Sequence, residues 1–218
     1  MGSSRLPGKV LADLEGGPVL ARVVDRTARA RLLSTVVVAT SRSPADDVIE
    51  ELCRSRGWNV YRGSEADVLS RYSEAAVAYD ADAVVRVTAD DPFTDPAVVD
   101  QHVEALFERW GDVDFVTNMA TQTFPYGLAV EAMPFDVLAR IDRLSQSPEQ
   151  REHVTSVVYE HPHLFVIADV LAPADYSALR WTVDTADDLE RARQIFRHFG
   201  NDEFGWEAAV AAFPTAPA

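Results

Sequence analysis

The sequence is poor in cysteine, in basic residues and in long apolar runs. Its one cysteine, Cys53, has no partner in the chain for a disulfide, which suits a reducing compartment. No apolar run approaches the length needed to cross a bilayer, and no signal-peptide pattern stands at the start. We therefore expect a cytoplasmic protein without a membrane partner.

Basic charge is scarce throughout the chain. The 20 lysine and arginine residues are outnumbered by 35 acidic residues, which gives a net charge of −15. Such a surface repels the phosphate backbone of nucleic acids and anionic membranes, so we expect no nucleic-acid partner. A basic loop at the amino end of an acidic protein instead fits the local capture of a small anion.

Internal repeats and linkers rich in glycine or serine are also lacking. The 218 residues, 47% of them hydrophobic, can bury one large core, so we expect a single domain over residues 1–218, with a C-terminal extension from about residue 200. Short β-branched runs alternate with amphipathic segments. This alternation predicts an α/β fold, a three-layer sandwich around a mainly parallel sheet, with ligands at the carboxyl ends of the strands.

The predicted strands lie at 35–39, 59–61, 83–88, 113–116, 128–133, 164–170 and 180–183. The predicted helices lie at 19–30, 46–56, 68–79, 96–109, 135–144, 151–159 and 186–199, with a short one at 206–213.

The first nine residues combine backbone amides bared by glycine, hydroxyl donors and two cations, which are the groups that wrap phosphate oxygens. These groups belong to Gly2, Ser3, Ser4, Arg5, Gly8 and Lys9. The segment is not a Walker loop, because five residues separate its glycines and Val10 stands where a hydroxyl would hold magnesium. The alternative is an unstructured N-terminus that resembles an expression tag. We favour a phosphate loop, because residues 5–9 lead straight into an apolar helix.

Acidic residues follow two predicted strands where the strands end. Asp90 and Asp91 come after strand 83–88, and Asp184 comes after strand 180–183. A divalent cation that meets nucleotide phosphates needs carboxylate oxygens at this edge of a sheet. We read Asp90 as a candidate metal ligand.

Other acidic residues nearby have a structural explanation. Asp95 precedes Pro96 and predicts a helix cap, and Thr185 with Asp188 predicts a capping box. Asp184 lies one residue outside that box. From the residues alone, a turn-forming role and a metal-binding role for Asp184 are equal alternatives.

Six ordered segments together resemble the cytidylyltransferases that make CMP-activated acidic sugars, in the branch typified by the spore-coat polysaccharide biosynthesis protein SpsF. This branch is similar to the CMP-3-deoxy-manno-octulosonate and CMP-acylneuraminate synthetases. The resemblance covers residues 1 to about 199, and its segments are 1–9, 62–72, 86–96, 124–131, 151–155 and 183–185.

The resemblance implies the nucleotide-diphospho-sugar transferase fold and the transfer of CMP from CTP to a sugar acid with release of pyrophosphate. It implies Mg²⁺ at Asp90 and Asp184, catalysis by Lys9, Arg5 and Asp90, and a homodimer formed through about residues 131–170. The implied nucleotide contacts are Gly2, Ser3, Ser4, Arg5, Lys9, Arg62 and Ser64. The implied acceptor pocket contains Tyr126, Gly127 and Glu131. Arg62 is equally consistent with a surface arginine that packs its stem.

The chain departs from its relatives in two places. They begin with a hydrophobic strand directly before the residue that matches Met1, and that first strand is missing here. Because it would be the central strand beneath the phosphate loop, we expect its absence to expose its neighbours. Either the true start lies upstream or the chain is a truncated form, and we favour the missing start. The second departure is Ala129, where many relatives carry an acid, which bears on the identity of the acceptor.

Two other functions are weighed against the nucleotidyltransferase. Asp112-Val113-Asp114 has the spacing of a glycosyltransferase metal motif, but it stands at the front of a predicted strand, away from the cleft. The missing first strand also permits a non-catalytic relative that acts as an assembly partner.

Overall fold

A computed structural model describes residues 5–214. It contains six strands: β1 Val37–Ser41, β2 Asn59–Gly63, β3 Ala83–Arg86, β4 Phe115–Thr117, β5 Glu131–Pro134 and β6 Ile167–Asp169. The α-helices of this part are α1 Val19–Thr27, α2 Asp47–Arg56, α3 Val68–Ala78, α4 Pro96–Glu108, α5 Phe135–Leu144, α6 Pro148–His153, α7 Ser156–Glu160, α8 Ala186–Phe199 and α9 Trp206–Ala212. Short 3-10 helices cover Lys9–Leu11, Pro44–Asp46 and Pro162–Leu164.

The strands form two sheets. β1 and β2 pair in parallel as a two-stranded sheet, and the other four strands follow the order β3-β5-β4-β6. β5 is antiparallel to both of its neighbours, while β4 and β6 are parallel, so β3, β4 and β6 all point the same way. The α/β class and the mainly parallel direction are therefore confirmed, with β5 as the reversed strand.

Two predicted elements differ in kind in the structure. Residues 180–183 form no ladder but one parallel bridge, between Arg180 and Tyr126. The predicted helix 151–159 is two helices, α6 and α7, because Val154 takes a left-handed φ of 61° between them. Ser147 and Gln150 cap α6 in a capping box, so this helix begins before the predicted boundary.

No helix among residues 5–214 is long and apolar enough to span a bilayer.

The largest core cluster joins α4, α8 and the last described residues. Phe93, Phe196 and Phe204 pack with ring centroids 5.2 to 6.2 Å apart. The almost fully buried Arg26 donates to the carbonyls of Thr94, Asp202 and Phe204. Residues 202–206 are thereby fixed to the framework, and the short helix predicted at 206–213 is found as α9.

A cavity of about 660 Å³ separates the two sheets. Its lining includes residues 36–38 and 84–87. Except for Arg86, these are apolar residues of a kind that parallel sheets bury, but all of them are only half buried. β1 and β3 are therefore partly exposed where they face this cavity.

Candidate functional site

Lys9 is the only lysine of the chain, and its side chain joins the two carboxylates singled out in the sequence. Its ammonium nitrogen lies 2.5 Å from Oδ2 of Asp90 and 2.8 Å from Oδ1 of Asp184. Gly8, with a left-handed φ of 71°, turns the chain into the 3-10 helix at Lys9. The structure thus brings together residues that are 81 and 175 positions apart in the chain.

The loop after β3 is held against residues 182–183, which places Asp90 beside Asp184. Val183 donates its backbone N–H to the carbonyl of Asp90 at 2.8 Å, and Thr182 Oγ1 donates to the same carbonyl at 3.4 Å. This contact explains why carboxylates that follow two separate segments converge. The carboxyl of Asp91 turns the other way and accepts from Thr88 Oγ1 at 2.7 Å. Burial, together with the neighbouring charge of Asp90, raises the pKa of Asp91 to about 7.

Asp184 is the most heavily paired carboxylate of this site. Besides Lys9, it meets Arg5 at 3.0 Å and Arg180 at 2.7 Å. Burial by itself raises the pKa of Asp184, but the bond from Lys9 and then Arg180 and Arg5 outweigh it and leave the pKa below its usual value. Burial likewise lowers the pKa of Lys9, and the bonds to Asp184 and Asp90 outweigh it and raise the pKa. Lys9 and Asp184 are therefore both charged near neutral pH.

Asp188 explains the local geometry of Asp184. As predicted, Thr185 and Asp188 cap α8 reciprocally, and Asp188 Oδ2 also accepts the backbone N–H of Asp184 at 3.1 Å. The capping box fixes the backbone and leaves the Asp184 carboxylate free to face Lys9. Asp95 is the predicted cap of α4 and accepts from the backbone of Ala97 at 2.9 Å.

Arg180 is a site residue that the sequence reading missed. It pairs with Asp184 and Asp188 and lies 5.0 Å from the ring centre of Tyr126. Its signal was its position four residues before Asp184. Three cations, those of Arg5, Lys9 and Arg180, therefore surround one carboxylate.

Tyr126 and Gly127, which the resemblance assigns to the acceptor pocket, lie beside this cluster. Tyr126 is half exposed, and its backbone bonds to Leu179 and Trp181 at 2.8 and 2.6 Å. Gly127 has a φ of 108°, and a Cβ there would lie 2.3 Å from the backbone nitrogen of Thr182. Gly127 therefore permits, first of all, a close approach to the backbone segment that carries Asp184.

Glu131 is buried and engaged by internal donors. Arg86 and Tyr159 reach its carboxylate at 2.6 Å each, and Thr155 at 3.0 Å. In this arrangement the carboxylate links β3, β5 and α7 from within, and its contact with an acceptor hydroxyl remains a prediction.

The other described residues that were predicted to contact the nucleotide bond to parts of the protein outside the Lys9 cluster. Arg62 pairs with Asp47 and Glu50 at 2.6 and 2.7 Å and donates to the carbonyls of Ser41 and Ser43, so its recorded contacts all lie on the β1–α2 segment. Ser64 accepts the backbone N–H of Asp67 at 3.2 Å before α3. Gly2, Ser3 and Ser4 lie outside the described residues.

The Asp112–Asp114 segment lies at the amino end of β4. Asp114 accepts the backbone N–H of Val166 at 2.8 Å and pairs with Arg140 at 2.8 Å. Both contacts are structural and lie at the start of β4. They agree with the prediction that this segment is not a glycosyltransferase metal motif.

The family model for cytidylyltransferases matches residues 1–203. SpsF of Bacillus subtilis (strain 168), a spore coat polysaccharide biosynthesis protein, is 33% identical over 207 residues, which cover 92% of this chain and 84% of SpsF. The 3-deoxy-manno-octulosonate cytidylyltransferase of Geobacter sulfurreducens is 41% identical over 109 residues, 49% of this chain and 42% of that protein. A solved cytidylyltransferase from Leptospira borgpetersenii superimposes with a TM-score of 0.94 at 31% identity, covering 97% of this chain and 89% of that one.

The fold and these similarities define a nucleotidyltransferase. The chain belongs to the cytidylyltransferase family.

Proposed function

We propose that this protein transfers CMP from CTP to a sugar acid and releases pyrophosphate, in the biosynthesis of a polysaccharide. The observation that carries the proposal is the Lys9 ammonium held between Asp90 and Asp184 at the carboxyl end of β3. Cations and carboxylates at one strand end are what a metal-bound triphosphate needs. The SpsF and sugar-acid cytidylyltransferase relatives support the substrate class.

The carboxylates fit a magnesium ion. An oxygen of each lies against the same nitrogen, so one ion in its place can reach both. No group of three or more histidine, cysteine or acidic side chains able to hold a metal exists among residues 5–214. Two carboxylates, completed by phosphate oxygens and water, are the usual protein share of a magnesium site. Bound there, Mg²⁺ would neutralise phosphate charge.

The chain's own residues would then position the two substrates and neutralise the charge on the phosphates. The acceptor's hydroxyl would attack the α-phosphorus of CTP and lose its proton to water as the new P–O bond forms. The bond between the α-phosphorus and the bridging oxygen would break, and pyrophosphate would leave with that oxygen. Lys9, released from the carboxylates, and the exposed Arg5 would balance the charge that develops on pyrophosphate. Tyr126 and Gly127 would hold the acceptor beside Asp184.

Pyrophosphate release tests the reaction. We expect release from CTP with 2-keto-3-deoxy sugar acids, little with ATP, GTP or UTP, and none without a divalent metal. Release with UDP-sugars, or no turnover with any sugar acid, would contradict the proposal. Because Ala129 replaces the common acid, the acceptor panel should include neutral and differently charged sugars.

Lys9 also offers a binding assay that needs no turnover. As the only lysine, it is the only side-chain amine that an acylating reagent can label. We expect Mg²⁺ with CTP to change its labelling rate, measured by peptide mapping against the amino terminus as internal reference. An altered rate without turnover would identify the non-catalytic relative.

We also propose a homodimer in the cytoplasm. Leu144, Leu164 and Val166 are exposed apolar residues within the segment 131–170, which supports pairing there. Val137, Leu138 and Ile141, in contrast, are buried in their own core. Light scattering should give twice the chain mass, and Leu164→Glu should reduce it to one chain mass. The single cysteine has no partner in the chain for a disulfide, which supports a reducing compartment such as the cytoplasm.

A further inference from the structure

A small hairpin of residues 13–18 follows the 3-10 helix that begins at Lys9. An antiparallel bridge closes its base. The two residues at its tip, Glu15 and Gly16, both have a left-handed φ, of 51° and 87°, as the central residues of a type I′ turn do. Glutamate adopts this conformation at a cost, so contacts from outside the hairpin must hold it.

Three consecutive backbone carbonyls of the hairpin accept hydrogen bonds from arginines of two helices. Arg193 of α8 donates through Nε and Nη2 to the carbonyl of Asp13, at 3.1 and 2.9 Å. Arg22 of α1 donates to the carbonyl of Leu14 at 3.1 and 3.0 Å and also to that of Glu15. A guanidinium fork fixes the direction of its acceptor as well as the distance. The two arginines therefore fix the backbone of the hairpin.

The helix α8 is attached to both sides of the contact between Lys9 and Asp184. It begins just after Asp184, and Asp188 in its first turn accepts the backbone N–H of Asp184 at 3.1 Å. Further along the same helix, Arg193 holds Asp13, which lies four residues after Lys9. The ion pair of Lys9 with Asp184, at 2.8 Å, closes this path into a ring of contacts.

A closed ring of this kind limits how far the Lys9 ammonium can move. Lysine carries its charge on a flexible stem of four carbons, and a side chain that is free to rotate loses entropy when it is fixed in one place. Contacts that fix it before a substrate arrives remove that cost from the binding step. The Lys9 side chain is only 13% exposed, which agrees with a fixed position.

We propose that Arg193 is a positioning residue. By holding the carbonyl of Asp13, it sets the loop that carries Arg5 and Lys9 against Asp184 before the nucleotide arrives. Arg193 acts through the backbone of the hairpin and not on the phosphates themselves. The effect on the position of Lys9 stands on the contacts above, and its effect on turnover rests on the proposed function.

The labelling rate of Lys9 tests its position without turnover. In the absence of nucleotide and metal, Arg193→Met should raise the rate of Lys9 acylation about fivefold or more, because the ammonium spends more time away from its carboxylates. Peptide mapping measures the rate, with the amino terminus as internal reference. The Arg193 side chain is 31% exposed, so Tm should stay within a few degrees of the wild-type value.

Arg197→Met is the matched control for this substitution. Arg197 lies one helical turn further along α8 and pairs with the side chain of Glu15 at 2.7 Å, not with a backbone carbonyl. Its replacement removes the same charge from the same helix and should leave the labelling of Lys9 at the wild-type rate. Equal labelling rates in Arg193→Met and Arg197→Met would overturn the proposal.

Steady-state kinetics separate positioning from a general loss of structure. Because Lys9 and Arg5 act on the phosphates, Arg193→Met should raise KM for CTP about fivefold and lower kcat, with KM for the acceptor unchanged. Partial unfolding would lower kcat and leave both KM values as they are. Wild-type KM for CTP in Arg193→Met would contradict the positioning role. Faster labelling of Lys9 in Arg193→Met, together with a wild-type protein that turns over no sugar acid, would keep the positioning role and reject the reaction.

Discussion

The ammonium of Lys9 lies 2.8 Å from Asp184 Oδ1 and at the same time 2.5 Å from Asp90, in the place where a cation shared by the two carboxylates would lie. A metal ion bound as proposed would therefore compete with the lysine for the same oxygens. Lys9 would then have to move, and the phosphates of the nucleotide would give it a new partner.

Lys9→Met should strengthen metal binding in the absence of nucleotide. Removing the ammonium leaves two adjacent carboxylates without their shared counter-ion, so we expect Mn²⁺, used as a probe, to bind about tenfold or more tightly. Electron paramagnetic resonance of free Mn²⁺ measures this directly. Lys9→Arg keeps the charge and serves as the control. Equal Mn²⁺ affinity in wild type and Lys9→Met would show that the lysine does not occupy the metal position.

Asp90→Asn should lower the turnover number for CMP transfer about a hundredfold or more and leave Tm within a few degrees. The Asp90 side chain is partly exposed and its recorded side-chain partner is Lys9, so the fold does not depend on its charge. The exposed Asp187 provides a matched control, since Asp187→Asn removes an equal charge nearby. Wild-type turnover in Asp90→Asn would reject its role.

Gly127→Ala should destabilise the protein strongly. The new Cβ would lie 2.3 Å from the nitrogen of Thr182 and 2.7 Å from the carbonyl carbon of Trp181, so backbone must move, at a cost of about 3 kcal/mol or more. Gly111→Ala separates this clash from backbone strain, because Gly111 has a φ of 87° and nothing within 4 Å of the added atom. The control should cost only about 1 kcal/mol. Urea unfolding measures both, and equal costs would contradict the clash.

Because of His102, the free energy of unfolding should decrease as pH falls. Burial lowers its pKa from 6.5 to about 4, and its Nδ1 donates to the carbonyl of Val98 at 2.7 Å. The unfolded chain binds a proton near pH 6.5 and the folded one only near pH 4, so stability is complete above pH 6.5 and is lost as pH falls toward 4. From pH 7.5 to 5, His102 should cost about 2 kcal/mol of unfolding free energy.

The pH prediction is checked by urea unfolding of wild type and His102→Leu at both pH values. Other groups titrate in both proteins, so the difference between the two slopes isolates His102. Parallel stability curves would show that His102 is not buried in its neutral form.

The alternation of strands and helices predicted the α/β class, and the position of Asp90 after a strand predicted that it lies at the ligand-binding edge of the sheet. For Asp184 the residues alone left two alternatives, and its convergence with Lys9 and Asp90 was implied by the family resemblance. The sequence did not reveal the direction of β5, since an apolar strand reads alike in both directions. Arg180 was missed because an arginine inside an apolar segment has no signature until its partner is placed. The inward turn of Asp91 likewise depends on a tertiary contact, the hydroxyl of Thr88.

The contacts of Arg26 have a consequence for the order of assembly during synthesis. Its guanidinium is almost fully buried, and two of its three carbonyl acceptors belong to Asp202 and Phe204. While those residues are still inside the ribosomal exit tunnel, the third acceptor, Thr94, is the only one available, and it lies four residues after Asp90. The full set of Arg26 contacts, which ties residue 94 to residues 202 and 204, therefore forms only after residue 204 has left the tunnel.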